Sequence, residues 1–290
     1  MKVISSVSEW RALRPTLPRG LGLVPTMGAL HEGHLSLVRQ CRAENDVAVV
    51  WIFVNPKQFG PQEDFTRYPR DLDADLRKLA ETGVDYVFAP TVEDIYPQNF
   101  QTTVAVERLT KPLEGAVRPG HFEGVTTVVA KMFCLTQPER AYFGQKDAQQ
   151  CVVIRQMVTD LGMLMDVVVC PTVREADGLA MSSRNVYLSP EERQRATALY
   201  RALTSAAQAV EQGERDGESL RGRMRAMLEA VPGLAVEYVS VADPRTLGEM
   251  DTLSGEVLMS LAVKLGRTRL IDNMPFTVPE APARTQTAVG

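Results

Sequence analysis

The first half of the chain alternates two patterns of apolar and polar positions. Short, nearly continuous apolar runs cover residues 21–24, 47–54, 84–88, 141–143 and 167–169, and each reads as a buried strand. Between them, apolar residues recur every three or four positions, predicting helices over 34–45, 72–82, 122–135 and 147–161. In the third of these Val125, Val128, Val129, Met132 and Phe133 form one apolar face. Strands that are apolar on both faces, separated by helices, predict an α/β domain with a parallel sheet covered on both sides. Ligands on such sheets bind beyond the carboxyl ends of the strands.

The pattern changes after Asn185. Ser189-Pro190-Glu191-Glu192 has the form of a capping box with proline at the first helical position, opening a long helix to about residue 212. A charged linker (213–217), a helix (220–230) and strands over 236–241, 257–263 and 269–272 follow. We therefore expect a larger α/β domain over 1–176 and a smaller α+β domain over 177–274. The stretch 275–290 is rich in Pro, Thr and Ala without periodicity, and is expected to be disordered.

At 290 residues the chain is long enough for two domains, since single cores rarely grow beyond ~250 residues. The net charge of −4 argues against a nucleic-acid partner, which calls for a basic surplus. Cys41, Cys134, Cys151 and Cys170 form no C-x-x-C pair and lie in or beside apolar runs, as reduced thiols of a cytoplasmic protein would. Residues 1–14 lack the apolar core of a leader, and no apolar run is long enough to cross a membrane.

Candidate chemistry is densest between residues 24 and 34, Val-Pro-Thr-Met-Gly-Ala-Leu-His-Glu-Gly-His. Pro25 is expected to stop the first strand, having no N–H to donate. Gly28 and Gly33 allow a tight turn, and a helix opens at His34, so the stretch reads as strand, turn and helix N-terminus. Such an end attracts anions. His31 and His34, three apart, fall on one face and are placed to stabilise a phosphoryl group during transfer. Two other readings stand beside this one: a zinc site completed by His121, the third of three histidines, and a turn with a structural role alone. Neither G-x-G-x-x-G nor G-x-x-x-x-G-K-[ST] occurs.

Three more clusters follow strand ends: Asn55-Pro56-Lys57-Gln58, Gly144-Gln145-Lys146-Asp147, and Met181-Ser182-Ser183-Arg184-Asn185. They gather amides, hydroxyls and cations at one sheet edge, which suits a polyphosphate together with a small polar acid.

These blocks resemble the pantothenate synthetase, or pantoate–β-alanine ligase, family. The histidine stretch is similar to that family's form of the HIGH nucleotidyl-transfer signature. Phe53-Val-Asn-Pro-Lys-Gln58-Phe, Tyr68-Pro-Arg70, Leu113-Glu-Gly-Ala-Val-Arg-Pro-Gly-His121-Phe, Phe143-Gly-Gln-Lys146-Asp147, Asp177-Gly-Leu-Ala-Met-Ser-Ser-Arg184-Asn and Arg269-Leu-Ile-Asp-Asn273 resemble further blocks in the family's order. The resemblance implies a Rossmann-like domain with a smaller C-terminal lid, and ATP-dependent ligation of pantoate and β-alanine through pantoyl adenylate. It implies that Pro25, Thr26, Met27, Gly28, Ala29, Leu30, His31, Glu32, Gly33 and His34 hold ATP, with His34 the principal catalytic histidine. Lys146, Ser182, Ser183 and Arg184, with Met181, would take the phosphates; Gly144, Gln145, Asp147 and Val173 would line the nucleotide. Gln58 and Gln150 would grip pantoate, with Gln58 also near β-alanine. Mg²⁺ would ride mainly on the ATP phosphates, with Asp75 as a protein ligand, and members are commonly homodimers. A transferase that keeps its AMP-bearing product and a non-catalytic ATP-binding regulator remain as alternatives; dependence on an amine and turnover of ATP distinguish them.

Overall fold

The computed structural model describes residues 1–61 and 63–279. The elements of the first part are β1 (Lys2–Ile4), α1 (Val7–Leu13), β2 (Leu21–Thr26), α2 (Glu32–Glu44), β3 (Val47–Ile52), α3 (Leu72–Ala80), β4 (Tyr86–Phe88), α4 (Val92–Ile95), α5 (Glu114–Val117), α6 (His121–Thr136), β5 (Arg140–Gly144), α7 (Ala148–Asp160) and β6 (Asp166–Cys170). The strands form one parallel sheet in the order β1-β4-β3-β2-β5-β6. Along β3 the side chains alternate between two cores. Val47, Val49 and Trp51 pack with α6 and α7 on one face, and Ala48 and Val50 with α2 and α3 on the other. This period of two, apolar on both sides, is why the strand reads as a continuous apolar run.

The chain steps outward from β2 to β3 and β4, then returns to place β5 on the other flank of β2. The carboxyl ends of β2 and β5 therefore border a crevice at the point where the strand order reverses.

Pro25 does not end its strand. β2 continues through Pro25 to Thr26, pairing them with Trp51 and Ile52 of β3. On its other flank β2 pairs with β5 only at Gly22 and Leu23, so proline falls beyond the ladder that would need its N–H.

The second part contains α8 (Pro190–Ala196), α9 (Ala198–Glu211), α10 (Gly217–Glu229) and an antiparallel sheet of β7 (Leu234–Ala242), β8 (Glu256–Leu265) and β9 (Thr268–Thr277). The expected capping box at Ser189 is present, with Glu192 N–H donating to Ser189 Oγ and Ser189 N–H to Glu192. The single long helix is instead two. Thr197 joins them, its Oγ1 donating to the Gln194 carbonyl at 2.7 Å, a local bond that competes with the helix ladder. The apolar faces of α9 and α10 cover this small sheet as a separate core. Pro275, Phe276 and Thr277, expected in a disordered tail, belong to β9 and pair with β8; residues 280–290 of that tail lie outside the described residues. Among the described residues no helix is long and apolar enough to cross a membrane.

Candidate active site

The crevice is floored by the turn after β2. Gly28 (φ +79°) and Ala29 (φ +51°) take left-handed conformations that reverse the chain. Their backbone is held from α3: the Asp75 carboxylate accepts from Ala29 N–H at 2.9 Å and Leu30 N–H at 2.7 Å. Asp75 is 2 % exposed, and burial raises its pKa against these two bonds. Each carboxylate oxygen thus accepts from one amide, and Asp75 anchors the turn to α3. Lys78, one turn on, donates to the Leu30 carbonyl.

α2 begins at Glu32, two residues before the expected start, because the histidines themselves cap it. His31 Nδ1 accepts from Gly33 N–H at 3.2 Å, and His34 Nδ1 accepts from His31 N–H at 3.3 Å. The ring centroids are 4.1 Å apart. A Cβ on Gly33 would sit 2.9 Å from the His31 ring, so any larger residue there would push that ring out of place. Each Nδ1 accepts a hydrogen bond, so each neutral ring carries its proton on Nε2. Burial, with Lys146 and Lys78 nearby, lowers the His31 pKa to about 4. Burial, with His31 and the same lysines, lowers that of His34 to about 3. Both are neutral donors at pH 7.

The rest of the crevice comes from distant parts of the chain. Pro25, Thr26, Met27, His31, Gly33, His34, Gln58, Gly144, Lys146, Asp147, Gln150, Val173, Met181, Ser182, Ser183 and Arg184 all line it. Other expected residues do not. Leu30 is buried in the core, Gly28 and Ala29 shape the turn, Glu32 pairs outward with Arg39, and Gln145 turns towards Asn273. Lys57 lies against the rings of Tyr96 and Phe100, its Nζ 4.7 and 4.5 Å from their centroids.

Gln58 is oriented by its neighbour. Asn55, 1 % exposed, donates from Nδ2 to Gln58 Oε1 and to the Gly124 carbonyl, both at 3.0 Å. The Gln58 amide is thereby turned with Nε2 towards Met27 Sδ (3.1 Å). His121 donates from Nδ1 to the Gln58 carbonyl at 2.8 Å and accepts at Nε2 from Arg118 at 3.1 Å. Both its nitrogens are engaged, and among the described residues no group of three His, Cys, Asp or Glu could hold a metal ion. The three-histidine zinc reading does not survive this geometry.

Arg184 reaches the crevice already paired. Its Nε and Nη2 each meet the Asp64 carboxylate at 2.9 Å, and its guanidinium lies 5.5 Å from the Tyr68 ring centroid. The Tyr68 hydroxyl lies 3.0 Å from Ser183 Oγ. Lys146 stands 3.8 Å from Asp147, whose carboxylate is half exposed. Asp64 escaped the sequence reading, and Tyr68 was given no role in it. A carboxylate 120 positions away leaves no local pattern, whereas Tyr68 lay within a block already noticed.

The family model described as Pantoate-beta-alanine ligase matches residues 1–275. The chain belongs to the pantoate–β-alanine ligase family. It is an enzyme of that ligase class. Pantothenate synthetase from Roseiflexus sp. (strain RS-1) is 58 % identical over 273 residues, covering 94 % of this chain and 98 % of that protein. The crystal structure of pantothenate synthetase from Thermus thermophilus superposes with a TM-score of 0.91 at 51 % identity, covering 94 % of this chain and 99 % of that one. The crystal structure of the pantoate–β-alanine ligase from Francisella tularensis complexed with Beta-gamma ATP and Beta-alanine gives a TM-score of 0.78 at 34 % identity, covering 94 % of this chain and 97 % of that one. The two-domain α/β architecture expected from the sequence is thus that of the pantoate–β-alanine ligases.

Proposed function

We propose that this crevice performs the ligation of the family in two steps, and that its residues divide the work as follows. A carboxylate oxygen of pantoate attacks the α-phosphorus of ATP, forming pantoyl adenylate as pyrophosphate leaves. The amine of β-alanine then attacks the acyl carbon, loses a proton, and expels AMP to give pantothenate. The first step joins two anions, so it needs positioning and charge compensation.

His34 and His31 present Nε2–H donors at a helix N-terminus, where oxygens of the transferring phosphoryl group gain negative charge. Because the rings are neutral and held at Nδ1, they donate without first losing or gaining a proton. Lys146 supplies the compact cation, while Ser182 and Ser183 add hydroxyl donors. Arg184 serves the phosphates by exchanging or sharing its Asp64 partner. Gly144, Asp147, Val173 and Met181 line the nucleotide. Gln58 offers its amide N–H to pantoate, with Gln150 beside it, and Gln58 borders the β-alanine position.

Asp147 is the one carboxylate among the described crevice-lining residues. That donor set fits a Mg²⁺ ion carried on the phosphates with its own waters, not a protein cage. Bound there, the ion neutralises phosphate charge. A homodimer is supported by edge strand β6, beside which Leu161 and Leu164 are 54 % and 99 % exposed. A cytoplasmic location fits ATP as substrate and four free thiols.

The observation that carries this reading is the histidine pair, capped through Nδ1 and facing Lys146 across one crevice. The test is ATP–pyrophosphate exchange. Exchange that requires pantoate and proceeds without any amine is expected; exchange that appears only with β-alanine would exclude a separate adenylate step. Release of AMP on adding β-alanine separates the ligase from a transferase that keeps its adenylate. Absence of turnover would favour the regulator.

A further inference from the structure

The turn that carries Lys146 is held from the other domain. Asn273, in β9 and 4 % exposed, donates from Nδ2 to the carbonyls of Gln145 (2.9 Å) and Lys146 (2.8 Å). Its Oδ1 accepts from Gln145 Nε2 at 3.0 Å. One buried amide therefore ties down two successive carbonyls and a side chain. Asn273 is fixed in turn. Its N–H donates to Asp272 Oδ1 (2.8 Å) and its carbonyl accepts from Arg174 Nη2 (3.2 Å). Arg174 also closes a two-point ion pair on Asp272, at 2.7 and 2.9 Å, and Asp272 is 2 % exposed.

At the starts of α3 and α8 a local side chain, Asp71 or Ser189, accepts a first-turn backbone N–H. The Gln145–Asp147 turn and α7 have no side-chain cap of their own, although Asp147 occupies the cap position. Lysine is a point charge on a flexible stem, so where its ammonium can stand depends on how firmly its backbone is held.

We propose that Asn273 is a positioning residue for Lys146, so that the seating of the small sheet against the large one sets where the ammonium meets the phosphates. This rests on the reading of Lys146 as the phosphate cation. The experiment is a double-mutant cycle of Asn273→Ala and Lys146→Ala, with Asn273→Ser as the variant that keeps one donor. Two rates are read in each full-length protein: pantoate-dependent ATP–pyrophosphate exchange, and aminolysis of supplied pantoyl adenylate by β-alanine.

Asn273→Ala is expected to slow exchange about 10- to 100-fold, the scale of a misplacement near 1 Å, and to slow aminolysis less. Asn273→Ser should fall between it and wild type. With Lys146 already alanine, Asn273→Ala should change exchange by less than about threefold, because coupled residues are non-additive. Losses that multiply in the double variant overturn the proposal, as does wild-type exchange in Asn273→Ala. Loss of a cooperative melting transition in both Asn273 variants also overturns it, since a purely structural role would then suffice. If Lys146→Ala slows both half-reactions equally, the phosphate reading of Lys146 fails. Non-additivity would still report the positioning.

Discussion

Gly124 lies in the first turns of α6, directly under the Pro56–Gln58 turn that presents Gln58. A Cβ there would stand 2.3 Å from the Lys57 carbonyl oxygen, 2.5 Å from its carbon and 2.7 Å from the Gln58 nitrogen. All three are backbone atoms, so no side chain can swing aside. Opening the oxygen contact from 2.3 Å to the 3.0 Å floor for real Cβ contacts requires about 0.7 Å of separation. Asn55 and His121 bond this turn to the Gly124 carbonyl and to α6. Gln58 is therefore displaced with the backbone that carries it, or those bonds break. We expect Gly124→Ala to lower kcat/KM for pantoate by roughly 10- to 100-fold, as for a misplacement of this size, while KM for ATP changes much less. Overpacking should cost about 1–3 kcal/mol of stability. The assay is steady-state kinetics with each substrate varied in turn, beside urea unfolding. Gly222→Ala is the control: nothing lies within 4 Å of its Cβ, and α10 should gain ~0.5–1 kcal/mol. An unchanged KM and kcat for pantoate in folded Gly124→Ala would refute the idea that this contact sets the acid site.

His34→Ala should reduce pantoate-dependent pyrophosphate exchange by ~10²–10³, the usual loss for one well-placed donor, and near wild-type exchange would remove the histidines from the chemistry. Asp75→Ala leaves the Ala29 and Leu30 amides without their acceptor, so a stability loss of about 1–3 kcal/mol together with greatly reduced exchange is expected; unaltered melting and exchange would show the anchor to be dispensable. His121, 8 % exposed and bonded through both nitrogens, has its pKa lowered to about 4 by burial and then by Arg118, against 6.5 ordinarily. The unfolded chain binds that proton first, so the stability is fully present above pH 6.5 and is lost as pH falls towards 4, by roughly 3 kcal/mol from this group. Urea midpoints that stay level from pH 8 to pH 4.5, set beside those of His121→Gln, would contradict this.

The sequence revealed the large sheet wherever a strand was long and buried on both faces. β3 shows its period of two as an unbroken apolar run. β1 was invisible because three residues beginning with a lysine carry no period, and it is a strand only by pairing with β4. The division of α8 from α9 turns on one threonine hydroxyl, which interrupts backbone bonding without interrupting the apolar pattern. Within the site, histidines, glycines and strand-end clusters were legible because their chemistry is local. The pairing of Arg184 with Asp64, the engagement of Asp75 with the Ala29 and Leu30 amides, and the grip of Asn273 on the Lys146 turn were not. Each joins segments far apart in the chain, and a residue type alone does not name its partner.

Each imidazole at the head of α2 has two ends with different duties. Nδ1 holds the helix, as a short polar cap does, and Nε2 reaches beyond it into the crevice. Asparagine is a good cap at the His31 position and would keep the helix, but it is too short to place a donor where the ring's Nε2 stands. Replacement of His31 by asparagine should therefore yield a protein that expresses, melts and purifies like its parent while the ligation is lost. A survey of variants scored by abundance or thermal tolerance would pass such chains as healthy. Only growth that depends on the product, or a direct assay of it, would single them out.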